Sequence, residues 1–334
     1  MKIRMKKLAA LAIAAVTLLS SFTVSAEEMA INELTGLPMP ARLANQRPIA
    51  AMVDNEKVAL DHYGVNDADI VYEMMNSTKN GRITRLMCLY KDYMSVARIG
   101  SIRSVRPTNF LIAQEYNAII CHDGGPFYIN PYAAMPYSNN FSGGFTRVNN
   151  GKRTEFTEYI VPSDMTKKFA ASGVSKTYTQ YYQGPHFVFG GATLPAGVQG
   201  NACPANSIVL PFPHNASTLT YNPTTLKYQY GEYGRAHVDA LHNNAVTAFD
   251  NVIIQACDFV QYDENGYLIY NCIGNGVGFY VSGGQATPIL WAKTSELAPT
   301  KFFSQTTMQE IIMNPGKTYI AIVPLDGWAG LSIS

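Results

Sequence analysis

Short apolar segments recur through the first half of the chain, and each is bounded by polar or turn-forming residues. Continuous apolar runs of this length predict strands that are covered on both faces of a sheet. A loop that ends in Gly81 separates the second segment from the third, and this arrangement is typical of a hairpin. The segments comprise residues 48–53, 69–76, 82–90 and 118–121.

Two stretches in the same half of the chain predict helices. Residues 107–116 can place their aromatic and aliphatic side chains on one broad side, and Pro107 suits the first helical turn. A shorter helix is expected to start at Ser163-Asp164 and to stop at Gly173. Strands combined with helices indicate an α/β domain with a mixed sheet, which we assign to residues 31–195.

From Ser207 onward the pattern changes to short strand-like runs separated by clusters of turn residues. This pattern favours an antiparallel, β-rich domain, a sheet or a small barrel, over residues 205–330. The glycine- and proline-containing stretch at residues 190–205 is the expected domain boundary. The whole chain is therefore predicted to be a mixed α/β, or α+β, protein. The predicted strands comprise residues 207–210, 226–230, 252–262, 267–273, 278–281 and 318–323.

The first 26 residues have the three parts of an export signal. Four basic residues precede the uncharged apolar stretch Leu8–Leu19, and Val24-Ser25-Ala26 forms a cleavage site. Cleavage after Ala26 removes four basic residues and no acidic one, which lowers the formal charge of +1 by four to −3. We expect a secreted protein without a lipid anchor, because no cysteine lies near the cleavage site.

The remaining composition excludes two classes of function. A slightly acidic protein lacks the dense positive charge that nucleic-acid binding requires, so no nucleic-acid partner is expected. The apolar part of the export signal is too short to cross a bilayer, and no later stretch is long and apolar enough for a transmembrane helix.

The stretch from Arg98 to Gly125 combines the features of a binding site. Arg103 and Arg106 directly precede the predicted helix, whose free N–H groups and dipole attract anions. The planar fork of arginine suits a carboxylate or a phosphate. The alternative is that both arginines pair with acidic residues inside the protein, for instance Asp54 or Glu73.

Polar residues also follow two of the predicted strands. Asp54 and Asn55 end the first, His122 and Asp123 end the last, and ligands of open α/β sheets collect at such carboxyl ends. His122 could serve as an acid or base oriented by Asp123 or Asp54. The alternative is a hydrogen-bonded structural histidine, since no nucleophile motif such as GxSxG accompanies it. The sequence leaves open whether the protein is an enzyme.

Glu73 and Arg85 each place a charge inside an otherwise apolar part of a strand of the predicted hairpin. If Asn76 lies opposite Arg82, then Glu73 lies opposite Arg85. Such a buried pair would either fix the strand register or line a site. The predicted ligand-binding residues are Arg103, Arg106, Asn55, Glu73 and Arg85.

We expect neither a metal nor a cofactor. His237, Asp239 and His242 lie close together in sequence, but a metal would need further ligands and no HExxH motif is present. The glycine-rich residues 274–278 lead into a strand and not into a helix, which argues against nucleotide binding.

Cys257 and Cys272 flank the predicted turn Asp263–Gly266. If Tyr262 pairs with Tyr267 across this turn, the two cysteines lie directly opposite each other, close enough for a disulfide. The alternatives are two small buried thiols and a register that slips by one residue.

Several short motifs occur in a recurring order along the chain. They are Leu34–Pro38, Arg47–Asn55, Ala68–Glu73, Ile83–Arg85, Ile102–Pro107, Asn251–Gln255, Gly276–Gly278, Trp291–Lys293 and Pro315–Ile320. In this order they resemble the YerB-like family of bacterial envelope lipoproteins of unknown function, over nearly all of the chain after the export signal. The resemblance implies two domains and a location outside the cytoplasmic membrane. The family's lipidated cysteine is absent, and residues 145–159 match the family only loosely.

Two classes of function are consistent with these observations. The first is a cell-envelope protein that binds a glycan, a peptide or an anionic polymer in a cleft of the first domain. The second is a hydrolase or transferase that acts on a wall polymer through the arginine pair and an acid or base. We favour binding, because no complete catalytic constellation can be assembled from the sequence.

Overall fold

The structure is a computed structural model, and it describes residues 27–190 and 201–334. The described part of the first half combines ten short strands with three short α-helices. They are β1 (Met29–Ile31), β2 (Pro38–Pro40), β3 (Ile49–Asp54), β4 (Ile70–Met75), β5 (Thr84–Tyr90), β6 (Ile99–Gly100), α1 (Pro107–Glu115), β7 (Ile119–His122), α2 (Asn130–Ala133), β8 (Asn140–Ser142), β9 (Thr146–Arg147), β10 (Glu158–Ile160) and α3 (Pro162–Ser172).

The elements of the second half are almost all strands, with short 3-10 turns between them. They are β11 (Val188–Phe189), β12 (Cys203–Pro204), β13 (Ser207–Val209), β14 (Thr218–Asn222), β15 (Lys227–Glu232), β16 (Arg235–Ala236), β17 (Val238–Asp239), β18 (Ala245–Val246), β19 (Ala248–Phe249), β20 (Asn251–Cys257), β21 (Phe259–Gln261), β22 (Leu268–Tyr270), β23 (Gly274–Ser282), β24 (Gln285–Lys293), β25 (Lys301–Ser304), β26 (Ile312–Met313), β27 (Thr318–Pro324) and β28 (Ser332–Ile333).

One mixed sheet runs through both halves of the chain. Among the described residues it has eleven strands in the order β12-β24-β23-β20-β27-β4-β5-β3-β7-β8, with β25 beside β24. Strand β27 lies between β20 and β4 and is parallel to both, with Thr318 opposite Ile70. The second half therefore completes the sheet of the first half, in addition to packing against it.

A second, antiparallel sheet covers one face of the mixed sheet. Its strand order is β16-β15-β14-β13-β28, with β19 beside β15. One apolar core contains Val71 and Leu86 of the mixed sheet together with Leu219 and Tyr228 of the antiparallel sheet. Burying side chains from two facing sheets is the dominant favourable contribution to such a layered fold.

Helix α1 covers the opposite face of the mixed sheet. A second core joins Phe110 of the helix to strand residues such as Met52 and Tyr72, and every residue of α1 is buried. At the start of the helix, the Asn109 side chain accepts a hydrogen bond from the Arg106 backbone N–H. The helix ends before Asn117, whose positive φ of 50° reverses the chain into β7.

The predicted fold class is confirmed, and most predicted elements are present within one or two residues. Helix α1 and the buried strands β3, β4, β5 and β7 lie where the apolar runs placed them. Several strands, among them β14, β24 and β25, were not predicted, because short runs that are interrupted by polar residues are weak signals. The predicted domain boundary falls largely on residues 191–200, which lie outside the described residues. The predicted export signal, residues 1–26, also lies outside them.

The register of the β21–β22 hairpin agrees with the prediction. The Tyr262 N–H donates to the Tyr267 carbonyl, and Phe259 lies opposite Tyr270. Cys257 and Cys272 are both buried free thiols, and the register of the hairpin places them at facing positions. The predicted disulfide between them stays a prediction.

Within residues 27–190 and 201–334, no helix has both the length and the apolar composition that a membrane crossing requires.

Candidate functional site

Three arginines from two segments of the first half, strand β5 and the stretch before α1, lie close together beside the end of β3. Strand β5 pairs with β3 so that Arg85 lies opposite Asp54. Strand β7 pairs only with the first residues of β3, and the chain segment before α1 takes the next positions beside it. There the Arg103 N–H donates to the Met52 carbonyl, 2.9 Å away. We call Arg85, Arg103 and Arg106 the arginine cluster.

Asp54 holds two members of the arginine cluster in place. Its carboxylate is fully buried and lies 2.7 Å from Arg103 Nε and 3.5 Å from Arg85 Nη2. Arg85 also donates to the Ser104 carbonyl, at 3.0 Å, while its Nε has no hydrogen-bond partner. Because one carboxylate lies beside both guanidinium groups, Asp54 neutralises and positions Arg85 and Arg103.

Arg103 reaches from Asp54 towards the surface. Its Nη1 lies 3.3 Å from Glu155, and its guanidinium carbon lies 5.5 Å from the centre of the Phe156 ring. The side chain is 23% exposed, so an external group can approach it. Arg103 therefore combines a buried anchor with an accessible end.

Arg106 differs from the other two arginines in its partners. Its guanidinium donates to the carbonyl oxygens of Asn76 and Val105, at 3.2 and 3.0 Å, and covers the ring of Tyr267 at 5.0 Å. No carboxylate of the described residues lies within ion-pair distance of it. Burial, followed by the positive charge of Arg85, lowers the pKa of Arg106 to about 9. Arg85 and Arg103 have Asp54, Glu56 and Glu155 as neighbouring carboxylates. The guanidinium of Arg106 is still charged at neutral pH, so it is the positive charge in the cluster that a bound anion would stabilise.

Aromatic residues extend from Arg106 across the surface. The Tyr128 ring stacks on Tyr262, with centroids 4.4 Å apart, and meets Tyr267 edge-on at 6.2 Å. Phe127 lies beside Tyr128 and is 71% exposed. We call Phe127, Tyr128, Tyr262 and Tyr267 the aromatic platform. It combines the loop after β7 with the β21–β22 turn, so both halves of the chain build it.

His122 and Asp123 do not join the arginine cluster through their side chains. The two ring nitrogens of His122 lie 2.8 Å from the Gly124 carbonyl and 3.2 Å from the Asn140 side chain, and burial lowers the pKa of the ring. The Asp123 carboxylate pairs with Arg147 at 3.2 Å. This geometry matches the structural alternative for His122, and His122, Asp123 and Asp54 form no acid–base pair with one another in the described part of the chain.

The predicted opposition of Glu73 and Arg85 is wrong by one residue. Glu73 lies opposite Leu86, whereas Arg85 lies opposite Met74, so the two charges point to opposite faces of the sheet. Asn55 lies on the Glu73 face as well, where its amide nitrogen is 3.3 Å from the Glu73 carboxylate. The five predicted ligand-binding residues therefore form two groups, the three arginines on one face of the sheet and Asn55 with Glu73 on the other.

Glu73 instead belongs to a buried polar cluster between the two sheets. Its carboxylate accepts hydrogen bonds from the hydroxyls of Thr84 (2.6 Å), Ser217 (2.8 Å), Tyr230 (2.9 Å) and Tyr319. Burial is the largest influence on its pKa, and it raises the pKa above the ordinary value. Donors from both halves of the chain therefore converge on one carboxylate.

Glu232 is a second carboxylate of this cluster. One of its oxygens lies 3.4 Å from the Tyr230 hydroxyl and 3.3 Å from the Asn215 side-chain nitrogen. Burial, and after it the charge of Glu73, raise the pKa of Glu232 to about 8. Sequence reasoning missed Glu232, because a single glutamate in an aromatic strand carries no motif.

The two histidines of the predicted His237–His242 candidate point to different neighbours. His237 is buried next to His62, whereas His242 is exposed and lies 2.7 Å from Asp67. Asp239 accepts backbone N–H groups from Gly64 (3.0 Å), Asn66 (2.7 Å) and Leu241 (2.8 Å). Asp239 therefore connects its own turn to the backbone at Gly64 and Asn66, and His237, Asp239 and His242 do not form one site.

Comparison with known proteins places these features in a family context. Residues 34–175 match the N-terminal domain model of DUF3048, described as a protein of unknown function, and residues 208–320 match its C-terminal domain model. The predicted lipoprotein YerB of Bacillus subtilis is 25% identical over 309 residues, which cover 87% of this chain and 85% of YerB. The crystal structure of YerB from Bacillus subtilis shares the fold, with a TM-score of 0.76 and 21% identity, over 91% of this chain and 99% of that one.

Proposed function

Given that the chain belongs to the DUF3048 family, we propose that it binds an anionic glycan of the cell envelope at the arginine cluster and the aromatic platform. The observation that carries this proposal is the guanidinium of Arg106. It is half-buried, lies near two further arginines and has no carboxylate partner among the described residues. A charge held in this way is stabilised by a bound carboxylate or phosphate.

The aromatic platform indicates the rest of the ligand. Tyr267 lies under the Arg106 guanidinium, and Tyr128, Tyr262 and Phe127 continue the aromatic surface from it. Aromatic rings that are at least partly exposed suit the apolar faces of sugar rings, and the hydroxyls of the three tyrosines are able to bind sugar oxygens. A sugar polymer that carries carboxylates or phosphates satisfies both halves of the site.

The location of the protein supports this class of ligand. The first 26 residues have the pattern of an export signal, and the similar Bacillus subtilis protein is described as a lipoprotein. We therefore place the protein outside the cytoplasmic membrane, where wall glycans carry carboxylates and phosphates. Binding is favoured over hydrolysis, because the candidate acids and bases are engaged in hydrogen bonds and ion pairs.

Calorimetric titration with defined wall fragments tests this function. The protein spanning residues 27–334 is titrated with fragments that contain muramic acid, with teichoic acid oligomers and with neutral N-acetylglucosamine oligomers. We expect the anionic fragments to bind and the neutral oligomers to bind at least about tenfold more weakly, which corresponds to about 1.4 kcal/mol. Equal affinity for neutral and anionic fragments, or no binding of either, would contradict the proposal.

Matched arginine variants locate the site. Arg106→Ala should lower the affinity for anionic fragments by at least about tenfold. Arg42 is an exposed arginine that pairs with Glu27, and Arg42→Ala should bind like the wild type. If Arg106→Ala retains full affinity while folded, the arginine cluster is not the binding site.

A further inference from the structure

Two buried histidines from distant parts of the chain face each other between the sheets. His62 follows β3 by a few residues, and His237 lies between β16 and β17. His62 Nδ1 is 2.8 Å from His237 Nε2, and neither side chain is more than 2% exposed. At this distance the two facing nitrogens cannot both carry a proton, so one of them presents a lone pair to the other. Neutral imidazole is the form that coordinates a metal ion.

Glu232 directs an unused oxygen towards this pair. Its Oε1 lies 3.9 Å from His237 Nε2 and has no hydrogen-bond partner among the described residues, although Glu232 is only 1% exposed. The other oxygen, Oε2, already lies within hydrogen-bond distance of Asn215 and Tyr230. A buried carboxylate oxygen without a partner is costly, and it indicates that a group is needed at this position.

Thr247 fixes the orientation of the His237 ring. Its hydroxyl lies 2.7 Å from His237 Nδ1 and is itself buried. With the proton on Nδ1, the lone pair of Nε2 points towards His62 and Glu232. Histidines that bind metals are characteristically held in this way through their second nitrogen.

Acidic side chains near the two histidines also favour a bound cation. Glu73 and Glu232 are two buried carboxylates that both lie near the hydroxyl of Tyr230. Within residues 27–190 and 201–334, neither forms an ion pair with a lysine or an arginine. A divalent ion beside Glu232 would provide a positive partner for its carboxylate in a region from which water is excluded.

We propose that His62, His237 and Glu232 bind a divalent transition metal of the zinc type. One ligand atom from each residue lies within 4.8 Å of the others, which a small shift converts to metal–ligand distances of roughly 2.0–2.2 Å. Two imidazoles and one carboxylate favour zinc-like ions over calcium or magnesium, which prefer oxygen ligands. Because His62 belongs to the first half of the chain and the other two ligands to the second, the metal links the halves.

A neighbouring group of metal-binding residue types lacks these features. Asp67, Asp239 and His242 also have ligand atoms within 4.8 Å of one another, but both oxygens of Asp239 already accept backbone N–H groups. His242 pairs with Asp67 at the surface. This second group serves as the internal control.

Titration with Zn²⁺ and Co²⁺ tests the site. The protein spanning residues 27–334 is treated with a chelator, dialysed and titrated with each ion alone, and metal content, thermal unfolding and the visible spectrum of Co²⁺ are recorded. We expect one equivalent to bind, the unfolding temperature to rise with Zn²⁺ concentration, and the intense Co²⁺ bands of a tetrahedral site with nitrogen and oxygen ligands. Failure to bind either ion would overturn the proposal and leave a hydrogen-bonded histidine pair.

Conservative variants assign the ligands. Glu232→Gln keeps the side-chain volume and should weaken Zn²⁺ binding by at least about tenfold, and Thr247→Val, which removes the ring partner, should weaken it by about 10–100-fold. His242→Ala should bind Zn²⁺ like the wild type. Zn²⁺ binding that is lost in His242→Ala and kept in a folded Glu232→Gln would place the ion at the surface group and refute the buried site.

Discussion

Glu73 and Arg85 lie on opposite faces of the mixed sheet, although they belong to two paired strands of one hairpin. Arg85 faces the layer that contains Asp54, Arg103 and the start of α1. Glu73 faces the antiparallel sheet and accepts hydroxyl groups from it. The sheet thereby separates a charged site that reaches the surface from a polar cluster that is fully enclosed, and the two can be perturbed independently.

Replacing Glu73 should destabilise the protein without changing anion binding. Glu73→Ala removes the acceptor of four buried hydroxyls, those of Thr84, Ser217, Tyr230 and Tyr319. We expect a loss of roughly 3 kcal/mol or more in the free energy of unfolding, because buried donors without an acceptor pay their full desolvation penalty. Urea denaturation measures this loss.

The exposed Glu264 provides the control for Glu73. Glu264→Ala should change the free energy of unfolding by no more than about 0.5 kcal/mol. Glu73→Gln, which retains one acceptor oxygen, should fall between the two alanine variants and bind anionic fragments with wild-type affinity. A loss of anion affinity in a folded Glu73→Gln would mean that the two sites are coupled.

A methyl group at Gly266 should disturb the aromatic platform. Gly266 has a φ of 83°, and an added Cβ would lie 2.7 Å from the hydroxyl oxygens of Ser77 and Thr78. Gly266→Ala therefore combines backbone strain with a clash, and we expect a loss of about 1–3 kcal/mol in unfolding free energy. Because Tyr267 is the next residue, the affinity for anionic fragments should fall as well.

Gly234 is the matched control, since it has a similar φ of 74° but no atom within 4 Å of an added Cβ. Gly234→Ala should show the backbone strain alone, of about 1 kcal/mol, and wild-type anion affinity. Equal affinity losses in the two variants would argue against a role of the β21–β22 turn in the platform.

The pH dependence of stability should reveal the buried cluster around Glu115. This carboxylate receives hydrogen bonds from Thr300 and lies 2.6 Å from His186 Nε2 and 3.2 Å from Lys293 Nζ. Burial alone raises the pKa of Glu115, but the hydrogen bond from His186 and the charge of Lys293 outweigh it, so the pKa is lowered. A lowered pKa stabilises the folded state above the ordinary value of 4.5, and this contribution is lost as the pH falls through the folded-state pKa.

Glu115→Gln tests this sign. The variant should be less stable than the wild type at neutral pH, because Lys293 is left buried without its counter-charge, and the difference should narrow as the pH falls below about 4.5. Urea denaturation at a series of pH values measures the difference. Glu310→Gln, which alters the partly exposed pair with Lys301, should show only a small difference at every pH.

Mild oxidation should join Cys257 and Cys272. The two buried thiols lie at facing positions at the end of the same hairpin. Oxidation by an external thiol oxidant should remove one hydrogen from each thiol, as intact mass shows. Closing a loop of about 15 residues should increase the free energy of unfolding by about 3 kcal/mol, and reduction should reverse this increase.

The control variants separate this pair from the other cysteines. Cys257→Ser should abolish both the loss of mass and the gain in stability, whereas Cys203→Ser should abolish neither. An unchanged mass of the oxidised wild type would contradict the pairing.

The hairpin registers show how far a sequence pattern can be trusted. The turn between Tyr262 and Tyr267 is short and rich in turn-forming residues, so its register could be predicted and was confirmed. The loop between β4 and β5 is longer, and Asn76 lies opposite Ile83 and not Arg82. This shift of one residue moved Glu73 to the other face. Periodicity alone did not reveal it, because both strands are apolar on both faces.

The arginine cluster could be predicted only in part. The pairing of the apolar strands and the helix start placed Arg103 and Arg106 near Asp54, as the structure shows for Arg103. Their different partners could not be predicted, because Tyr267 and the carbonyl of Asn76 reach Arg106 through tertiary packing. The lack of a carboxylate near Arg106, on which the proposed function rests, is likewise a property of the folded chain.

The sequence by itself determined the fold class, the buried strands, helix α1 and the β21–β22 register, because these depend on neighbouring residues and on short turns. Only the tertiary structure decided that β27 enters the sheet beside β4, which face holds Glu73, and that His62 meets His237 and Glu232. These relationships join residues far apart in the chain. They depend on how whole layers pack and pair, and that information is distributed over many side chains and is absent from any local pattern.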